Sequence, residues 1–497
     1  MSKVRVRFAP SPTGYLHVGG LRSALYNYLF ARKNGGSFIL RLEDTDQKRY
    51  VEGALESLVK ALKWAGLEYD EGIYLEGSKI AQRGNFGPYM QSQRLDIYNR
   101  YAEKLVNDRK AFYCFCTSDR LENMRQGQIA NKQAPMYDRY CLKNLSPEEI
   151  NQKLKEKCPA TIRLKVERGK DIEFNDLVRG RVSFKSDLID DQVLIKSDGF
   201  PTYHLASIVD DHLMEITHVI RGEEWISSTP KHILLYEAFG WMPPDFAHLP
   251  LLLSTERKKL SKRDGDVSVE DYIKRGYLKE AIINFVALLG WNPGKGETQE
   301  IFSLDELADR FDLGSVNKAG AVFDIKKLNW LNSQYIKKLS IDELYDKAKK
   351  YFEKKDFYKN ADEKLKTEDY LKKVLAIEQE RLQKLSGIGE NNKFFFEDPD
   401  YGKDLLHWKE MNDEELKNNL EKARNILENI PKENWTRENL GKVLLEAAGE
   451  KRGEFLWPLR VALTGEKNSP PPFEVAWVLG KTETLNRIEK AINKNNL

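Results

Sequence analysis

The sequence predicts an α/β chain: a parallel-sheet domain at the N-terminal end, an inserted α+β segment, and an all-helical C-terminal third. Three observations carry this reading. Residues 4–40 read as strand, turn, helix, strand. The texture changes at about residue 96 and returns to strand–helix alternation after about 203. From about 337 to the end, apolar residues recur at helical spacing between lysines and glutamates.

The first strand is "VRVRF", in which Val4, Val6 and Phe8 alternate with Arg5 and Arg7. The turn "APSPTGYLHVGG" follows at 9–20. Leu21, Ala24, Leu25, Tyr28 and Leu29 then fall on one face of a helix, which "NGG" at 34–36 stops. "SFILRLEDTD" reads as a buried strand ending in acids. A strand–helix–strand unit of this length implies a parallel pair with a right-handed crossover. Residues 96–203 hold short mixed segments and all four cysteines, as expected of a domain inserted into the first one. "THVIRGEEW" and "HILLYEAFGW" resume the sheet. "EAIINFVALLGW" and "KLNWLNSQYI" begin the helical part after about 257. No repeat of fixed period and no long low-complexity tract interrupts this order.

At 497 residues the chain is too long for one core, and 41% apolar with 32% charged residues fits a folded chain with a well-solvated surface. No run of eighteen apolar residues appears, and the first residues lack the apolar core of a secretion signal. Neither membrane spanning nor secretion is expected. Four cysteines make no disulfide framework in so large a chain, so a reducing cytoplasm is the expected location. A net charge of +3 is nearly neutral, so any phosphate-binding surface must come from local clustering.

The turn at 9–20 has the chemistry of an anion site. Backbone N–H groups and the positive end of the following helix face a phosphate, and glycines admit close approach. The dinucleotide fingerprint G-x-G-x-x-G is absent; instead His17, Gly19 and Gly20 open the helix. Some 240 residues on, "KLSKR" holds Lys259, Ser261 and Lys262, two lysines three apart that can follow a migrating phosphate charge. Taken singly, His17 is an ordinary cap residue and the lysines a solvated basic stretch.

Together they are specific. "LHVGG" resembles the HIGH signature and "KLSKR" the KMSKS signature of class I aminoacyl-tRNA synthetases, in that order and with an insertion between them. The strings "RFAPSPTGYLHVGGLRSALYNYLFAR", "GGSFILRLEDTD", "DGFPTYHLASIVDDHLM" and "HVIRGEEWISSTPKHILLYEAFGW" resemble the bacterial glutamyl-tRNA synthetase family over about 1–335, and "LRVALTG" and "FEVAWVLGK" extend the likeness to the C-terminus.

The resemblance implies a Rossmann-type catalytic domain (1–95 and 204–256) and an inserted domain for the tRNA acceptor end (96–203). It also implies a stem-contact helical domain carrying the KMSKS-like loop (257–336) and an all-helical anticodon-binding region (337–497, divided near 405). The implied reaction joins L-glutamate to tRNA(Glu) at the expense of ATP with Mg²⁺; a form that also charges tRNA(Gln) is the alternative. A monomer is implied. His17 and Lys262 would stabilise the reacting phosphates, with Lys259 and Ser261 supporting them, and Thr13, Gly19, Gly20, Glu224 and Trp225 would line the nucleotide. For glutamate, the implied residues are Arg7 facing the side-chain carboxylate, Arg221 as a second candidate, Glu43 for the ammonium, and Ser11 and Tyr203. Ser207 stands where Asn is expected, with shorter reach. Read without the motifs, Arg7 is a solvent-facing residue on an edge strand and Glu43 a strand-end acid capping the next turn.

Cys114, Cys116 and Cys141, with a 24-residue gap before the third, resemble the zinc site in the inserted domain of some relatives, with Tyr137 four residues before the last Cys. Lys143 occupies the position where others have His, and Cys158 completes four sulfurs only if the fold brings it near. Structural zinc and unliganded thiols both stand. Arg381 aligns with an Arg that reads the last anticodon base, and is otherwise one more charge on a helix. Trp330, Trp408 and Trp435 are expected to pack between helices. Glutaminyl-tRNA synthetase, the short relatives that modify a tRNA base, and small nucleotidyltransferases with an H-x-G-H turn each lack the insertion, the helical tail or both. A non-catalytic tRNA-binding protein is expected to have lost His17 or Lys262.

Overall fold

The computed structural model describes residues 3–260, 268–294, 296–390 and 392–495. They form two compact units, one of residues up to 273 with 279–325, the other of 274–278 with 326 onward. No helix among the described residues is long and apolar enough to cross a membrane.

The first unit is built on an eight-stranded sheet. In chain order its strands and those of a smaller sheet are β1 (Arg5–Phe8), β2 (Ser37–Leu40), β3 (Glu71–Glu76), β4 (Lys79–Arg83), β5 (Ala111–Cys114), β6 (Thr161–Leu164), β7 (Asp171–Asp176), β8 (Gly180–Lys185), β9 (Val193–Ile195), β10 (His218–Gly222) and β11 (Asp245–Leu249). The large sheet runs β4-β3-β2-β1-β10-β11-β7-β8. The parallel pair expected of β1 and β2 forms from Arg5 opposite Ser37 to Phe8 opposite Leu40. β10 pairs parallel with β1 on its other side and with β11. The order therefore turns back at β1, and ligands of such sheets bind outside the carboxyl ends of strands at that point.

Being central, β1 is covered on both faces. Val6 is fully buried, and Arg7 is only 4% exposed, so the alternating arginines do not mark a solvent face. The helix after it (Val18–Lys33) buries Leu21, Ala24, Leu25 and Leu29 as patterned, and also Arg22, Tyr26 and Asn27. It ends at Asn34 and a left-handed Gly35.

The segment 96–203 makes its own three-stranded antiparallel sheet, β5-β6-β9. It does not stay apart from the large sheet, however. Its hairpin β7–β8 joins the large sheet beside β11, with Asp176 opposite Phe246. The helices expected as a separate block at 257–336 are likewise shared between the two units, the change falling at 325.

The second unit is helical, as expected. Its longer helices are Ile341–Phe352, Glu368–Glu378, Asp413–Glu428, Arg437–Ala448, Arg452–Thr464 and Pro472–Asn495, the last broken at Gly480, where φ is 78°. Trp408 packs on Trp457 and Trp435 bonds the Ala476 carbonyl at 3.0 Å. Trp330 departs from its expectation: it is 40% exposed, with Lys327 over its ring.

Candidate active site

A cavity of about 440 Å³ opens where the carboxyl ends of β1 and β10 meet the start of the first helix. Arg7 and Phe8 come from β1, Arg221 and Gly222 from β10, and His17, Gly19 and Gly20 from the turn. Glu43, Tyr203, Glu224, Trp225 and Lys259 complete the walls that concern the chemistry.

His17 is the N-cap of the first helix, and its Nδ1 accepts from the Gly20 N–H at 3.1 Å. An accepting Nδ1 puts the ring proton of a neutral imidazole on Nε2, the outer nitrogen. The glycines make this fold-back feasible. A Cβ at Gly19 would stand 3.0 Å from both Cε1 and Nδ1 of His17, and one at Gly20 would press on Leu16 at 2.8 Å. Gly19 therefore makes room for the imidazole and Gly20 for Leu16. Ser11 and Thr13 are exposed and do not line the cavity. The turn is tied down by its carbonyls: Pro10 accepts from Glu43 N–H and Pro12 from Val51 N–H, each at 2.9 Å.

Three buried arginines line the cavity and are held differently. Arg22 is spent on backbone, donating Nη1 to the Leu289 carbonyl at 3.1 Å and Nη2 to the Pro250 carbonyl. Arg7 donates Nε to Asp211 Oδ1 at 3.0 Å and Nη2 to Oδ2 at 3.4 Å. Asp211 also pairs with Arg41 Nη1 at 2.8 Å, and Arg41 Nη2 reaches Glu43 at 3.0 Å. Burial pushes the Glu43 carboxyl above its usual range despite Arg41 and Arg7. A ligand ammonium would favour its charged form. Among the described residues, no carboxylate is a hydrogen-bond partner of Arg221. It donates Nε to His248 at 3.1 Å, Nη1 to Tyr203 OH at 2.9 Å and to His232 Nδ1 at 3.3 Å, and Nη2 to Thr229 at 2.9 Å. Tyr203 packs on Trp225 with ring centres 4.4 Å apart and planes tilted by 39°. Glu224 folds back over Gly222, where any Cβ would overlap its carboxylate.

Lys259 is exposed on a hairpin: Leu253 bridges Lys259, and Leu260 N–H bonds the Leu252 carbonyl at 2.9 Å. Ser261 and Lys262 lie outside the described residues. On their far side Ser268 bridges His17 and Val269 N–H bonds the Leu16 carbonyl at 3.0 Å. Of the described residues on either side, Leu260 is thus held beside Leu252, a cavity wall, and Ser268 on the His17 turn. Ser207 is buried on the Tyr203–Leu213 helix, does not line the cavity, and its Oγ has no hydrogen-bond partner among the described residues.

The profile described as tRNA synthetases class I (E and Q), catalytic domain, matches residues 3–330, and that of an anticodon binding domain matches 343–492. The chain belongs to the class I tRNA synthetases of the E and Q type. It is 47% identical over 498 residues to the glutamate–tRNA ligase of Alkaliphilus metalliredigens, covering 98% of this chain and 99% of that one. It is also 47% identical over 504 residues to the glutamate–tRNA ligase of Chloroherpeton thalassium, covering 99% and 98%. A solved glutamate–tRNA ligase from Elizabethkingia meningosepticum, crystallised with its amino acid, superposes with a TM-score of 0.87 at 38% identity, covering 99% of each chain.

Two further groups named from the sequence do not line the cavity. The sulfurs of Cys114, Cys116 and Cys141 lie within 4.8 Å of one another. The Tyr137 hydroxyl is 3.4 Å from Cys114 Sγ and 3.5 Å from Cys116 Sγ. Hydrogen bonds from Cys141 and Tyr137 hold the Cys114 thiol well below its usual value. Cys158 is not part of the cluster; its sulfur faces Glu156 at 4.0 Å. In the second unit, Arg381 is half exposed, donates to the Ile377 carbonyl at 2.8 Å and approaches Glu474 at 3.7 Å.

The fold brings together most of the residues that the motifs imply and leaves Ser11, Thr13 and Ser207 outside. Asp211, Arg41, Asp176, His232 and His248 were not singled out. Asp211 and Arg41 show only as charge in "IVDDH" and "ILRLED", and His232 opens "HILLYEAFGW"; Asp176 and His248 carry no local signal.

Proposed function

We propose that this chain is a glutamate–tRNA ligase that activates L-glutamate with ATP and transfers it to the 3′ end of tRNA(Glu). The observation that supports the reading is one cavity holding a phosphate-type helix start, the Lys259 cation at its rim, and the Arg221 guanidinium, held by neutral acceptors, together with the acid Glu43. Full-length identity to glutamate–tRNA ligases supports it.

In this reading the α-carboxylate of glutamate attacks the α-phosphate of ATP, and the bond to pyrophosphate breaks. A hydroxyl of the terminal tRNA ribose then attacks the acyl carbon and AMP leaves. Such chemistry needs positioning and charge stabilisation rather than a covalent catalyst. His17 donates from Nε2 to the reacting phosphates, and Lys259 and Lys262 balance the charge that moves to pyrophosphate. The roles of Ser261 and Lys262 rest on the "KLSKR" motif alone. Gly19, Gly20, Glu224 and Trp225 bound the nucleotide. Glu43 receives the ammonium. Arg221, rather than the neutralised Arg7, is the better partner for the side-chain carboxylate, because no acid cancels it; Arg7 and Tyr203 flank it. Mg²⁺ accompanies the nucleotide phosphates.

We assign 1–95 and 204–256 to catalysis, 96–203 to the acceptor end, 257–336 to the stem and 337–497, divided near 405, to the anticodon, with 171–185 lending strands to the catalytic sheet. Arg381 is assigned to the anticodon. Cys114, Cys116, Cys141 and Tyr137 fit a structural zinc ion, which would fasten the start of the insertion; three converging sulfurs and a phenol match its donor chemistry. The protein works as a cytoplasmic monomer.

The test is ATP–pyrophosphate exchange with glutamate, glutamine and aspartate in turn, with unfractionated tRNA present. Exchange with glutamate alone supports the reading. Preference for glutamine or aspartate overturns the choice of amino acid.

A further inference from the structure

The arginine that faces the cavity without an acid is not held loosely. Behind it stand His248 on β11 and Asp176 at the end of β7, both fully or almost fully buried. An arginine Nε–H only donates, so His248 Nε2, 3.1 Å away, must accept. The imidazole then carries its proton on Nδ1, and Nδ1 lies 2.6 Å from Asp176 Oδ2. Thr229 accepts from Arg221 Nη2 at 2.9 Å, and its hydroxyl stands 3.1 Å from His248 Nε2 and 3.2 Å from the Trp225 carbonyl. Whichever of the two it donates to, His248 Nε2 is an acceptor facing the arginine.

Asp176 is fixed independently. It accepts from the backbone N–H groups of Val178 at 3.0 Å, Arg179 at 2.8 Å and His248 at 3.1 Å. Burial disfavours its charge, but His248 and these N–H groups outweigh that and hold its carboxyl below the usual range. On the other side of the guanidinium the same logic repeats with His232. Its Nδ1 faces Arg221 at 3.3 Å, so its proton sits on Nε2 and is shared with His204 Nδ1 at 3.1 Å. Burial keeps both of these imidazoles uncharged, His204 titrating at about 4.

Arg221 is therefore oriented by neutral acceptors alone, and the negative charge that fixes the orientation is set one imidazole further back. A carboxylate in the place of His248 would orient the guanidinium equally well but would cancel its charge. A nitrogen acceptor orients it and leaves the charge for a ligand.

We propose that His248 and Asp176 are positioning residues for amino-acid selection: Asp176 fixes the His248 tautomer, and His248 presents Arg221, uncancelled, to the side-chain carboxylate of the substrate. This rests on the assignment of Arg221 to that carboxylate. It also makes a strand of the insertion, β7, part of the amino-acid site.

The experiment is glutamate-dependent ATP–pyrophosphate exchange by the full chain with tRNA present, reading KM for glutamate, KM for ATP and kcat. His248→Leu removes the acceptor at similar volume, and His248→Gln retains an amide oxygen that can accept. Asp176→Asn lets an amide donate to Nδ1, which turns His248 to the other tautomer and sets N–H against N–H at Arg221. Asp176→Asn and His248→Leu should raise glutamate KM at least ten-fold, with ATP KM within two-fold of the parent. His248→Gln should stay within about five-fold on both. Unchanged glutamate KM in His248→Leu overturns the proposal, as does an equal loss in His248→Leu and His248→Gln or a parallel rise in ATP KM. If Asp176→Asn fails to fold, the His248 pair decides alone. A parent enzyme with no glutamate-dependent exchange removes the functional reading, and the proposal with it.

Discussion

Arg7 and Asp211 are joined by two hydrogen bonds across 204 positions of sequence, with side chains 4% and 3% exposed. The same carboxylate pairs with Arg41. Removing one partner of a buried ion pair leaves the other desolvated and unpaired, which costs about 3–5 kcal/mol. Asp211→Asn should therefore lower the stability of the first unit by about 3 kcal/mol, read as a lower urea midpoint. Burial opposes the Asp211 charge, but Arg7 and Arg41 outweigh it and depress its carboxyl below 3.8. Its contribution is thus present above pH 4 and is lost as pH falls through the depressed value. The variant should show a weaker loss of stability in acid than the parent.

Gly19→Ala separates stability from activity. Alanine favours a helix by up to about 1 kcal/mol over glycine. The new Cβ would meet the His17 ring at 3.0 Å and push Nδ1 away from Gly20 N–H. The variant should melt no lower than the parent while glutamate activation falls ten-fold or more. Unaltered exchange rates would show that the folded-back ring of His17 has no part in the chemistry.

Glu378 gives the second unit an unusual pH dependence. It is buried, accepts from Gly389 N–H at 3.0 Å and from the Asn392 amide, and burial raises its carboxyl from 4.5 to about 7. Between those values the folded chain keeps a proton that the unfolded chain has released. Stability should fall as pH rises through this window, by about 3 kcal/mol in all. Glu378→Gln, compared with the parent by thermal melting at pH 5 and pH 8, should flatten that dependence. Parallel pH profiles for the two proteins would contradict it.

The cysteine cluster predicts one zinc per chain in protein purified without chelator, by elemental analysis. Cys141→Ser should lose the metal and make the 111–166 region more open to proteolysis. Protein that contains no zinc would leave the cluster as unliganded thiols.

What could be read in the sequence was local. The β1–turn–helix–β2 unit is legible because alternation, a Gly stop and a buried apolar run occur within 40 residues, and His17 is legible from its glycines. What could not be read depends on partners far apart in the chain. Without the motifs Arg7 reads as an edge-strand residue, because its counter-ion, Asp211, is remote. The β7–β8 hairpin alternates buried and exposed residues, and that pattern fits the edge of any sheet. Nothing local says that it docks beside β11 and brings Asp176 to His248. Trp330 was misjudged for the complementary reason: its spacing is helical, but the face it sits on is half exposed.

The account's central claim is best tested by charging separate tRNA(Glu) and tRNA(Gln) transcripts with labelled glutamate. Label on tRNA(Glu) and none on tRNA(Gln) is the predicted result, Arg381 included. Label on both keeps the chemistry and removes the anticodon assignment. Label on neither, from protein that hydrolyses or exchanges ATP with another amino acid, would contradict the account.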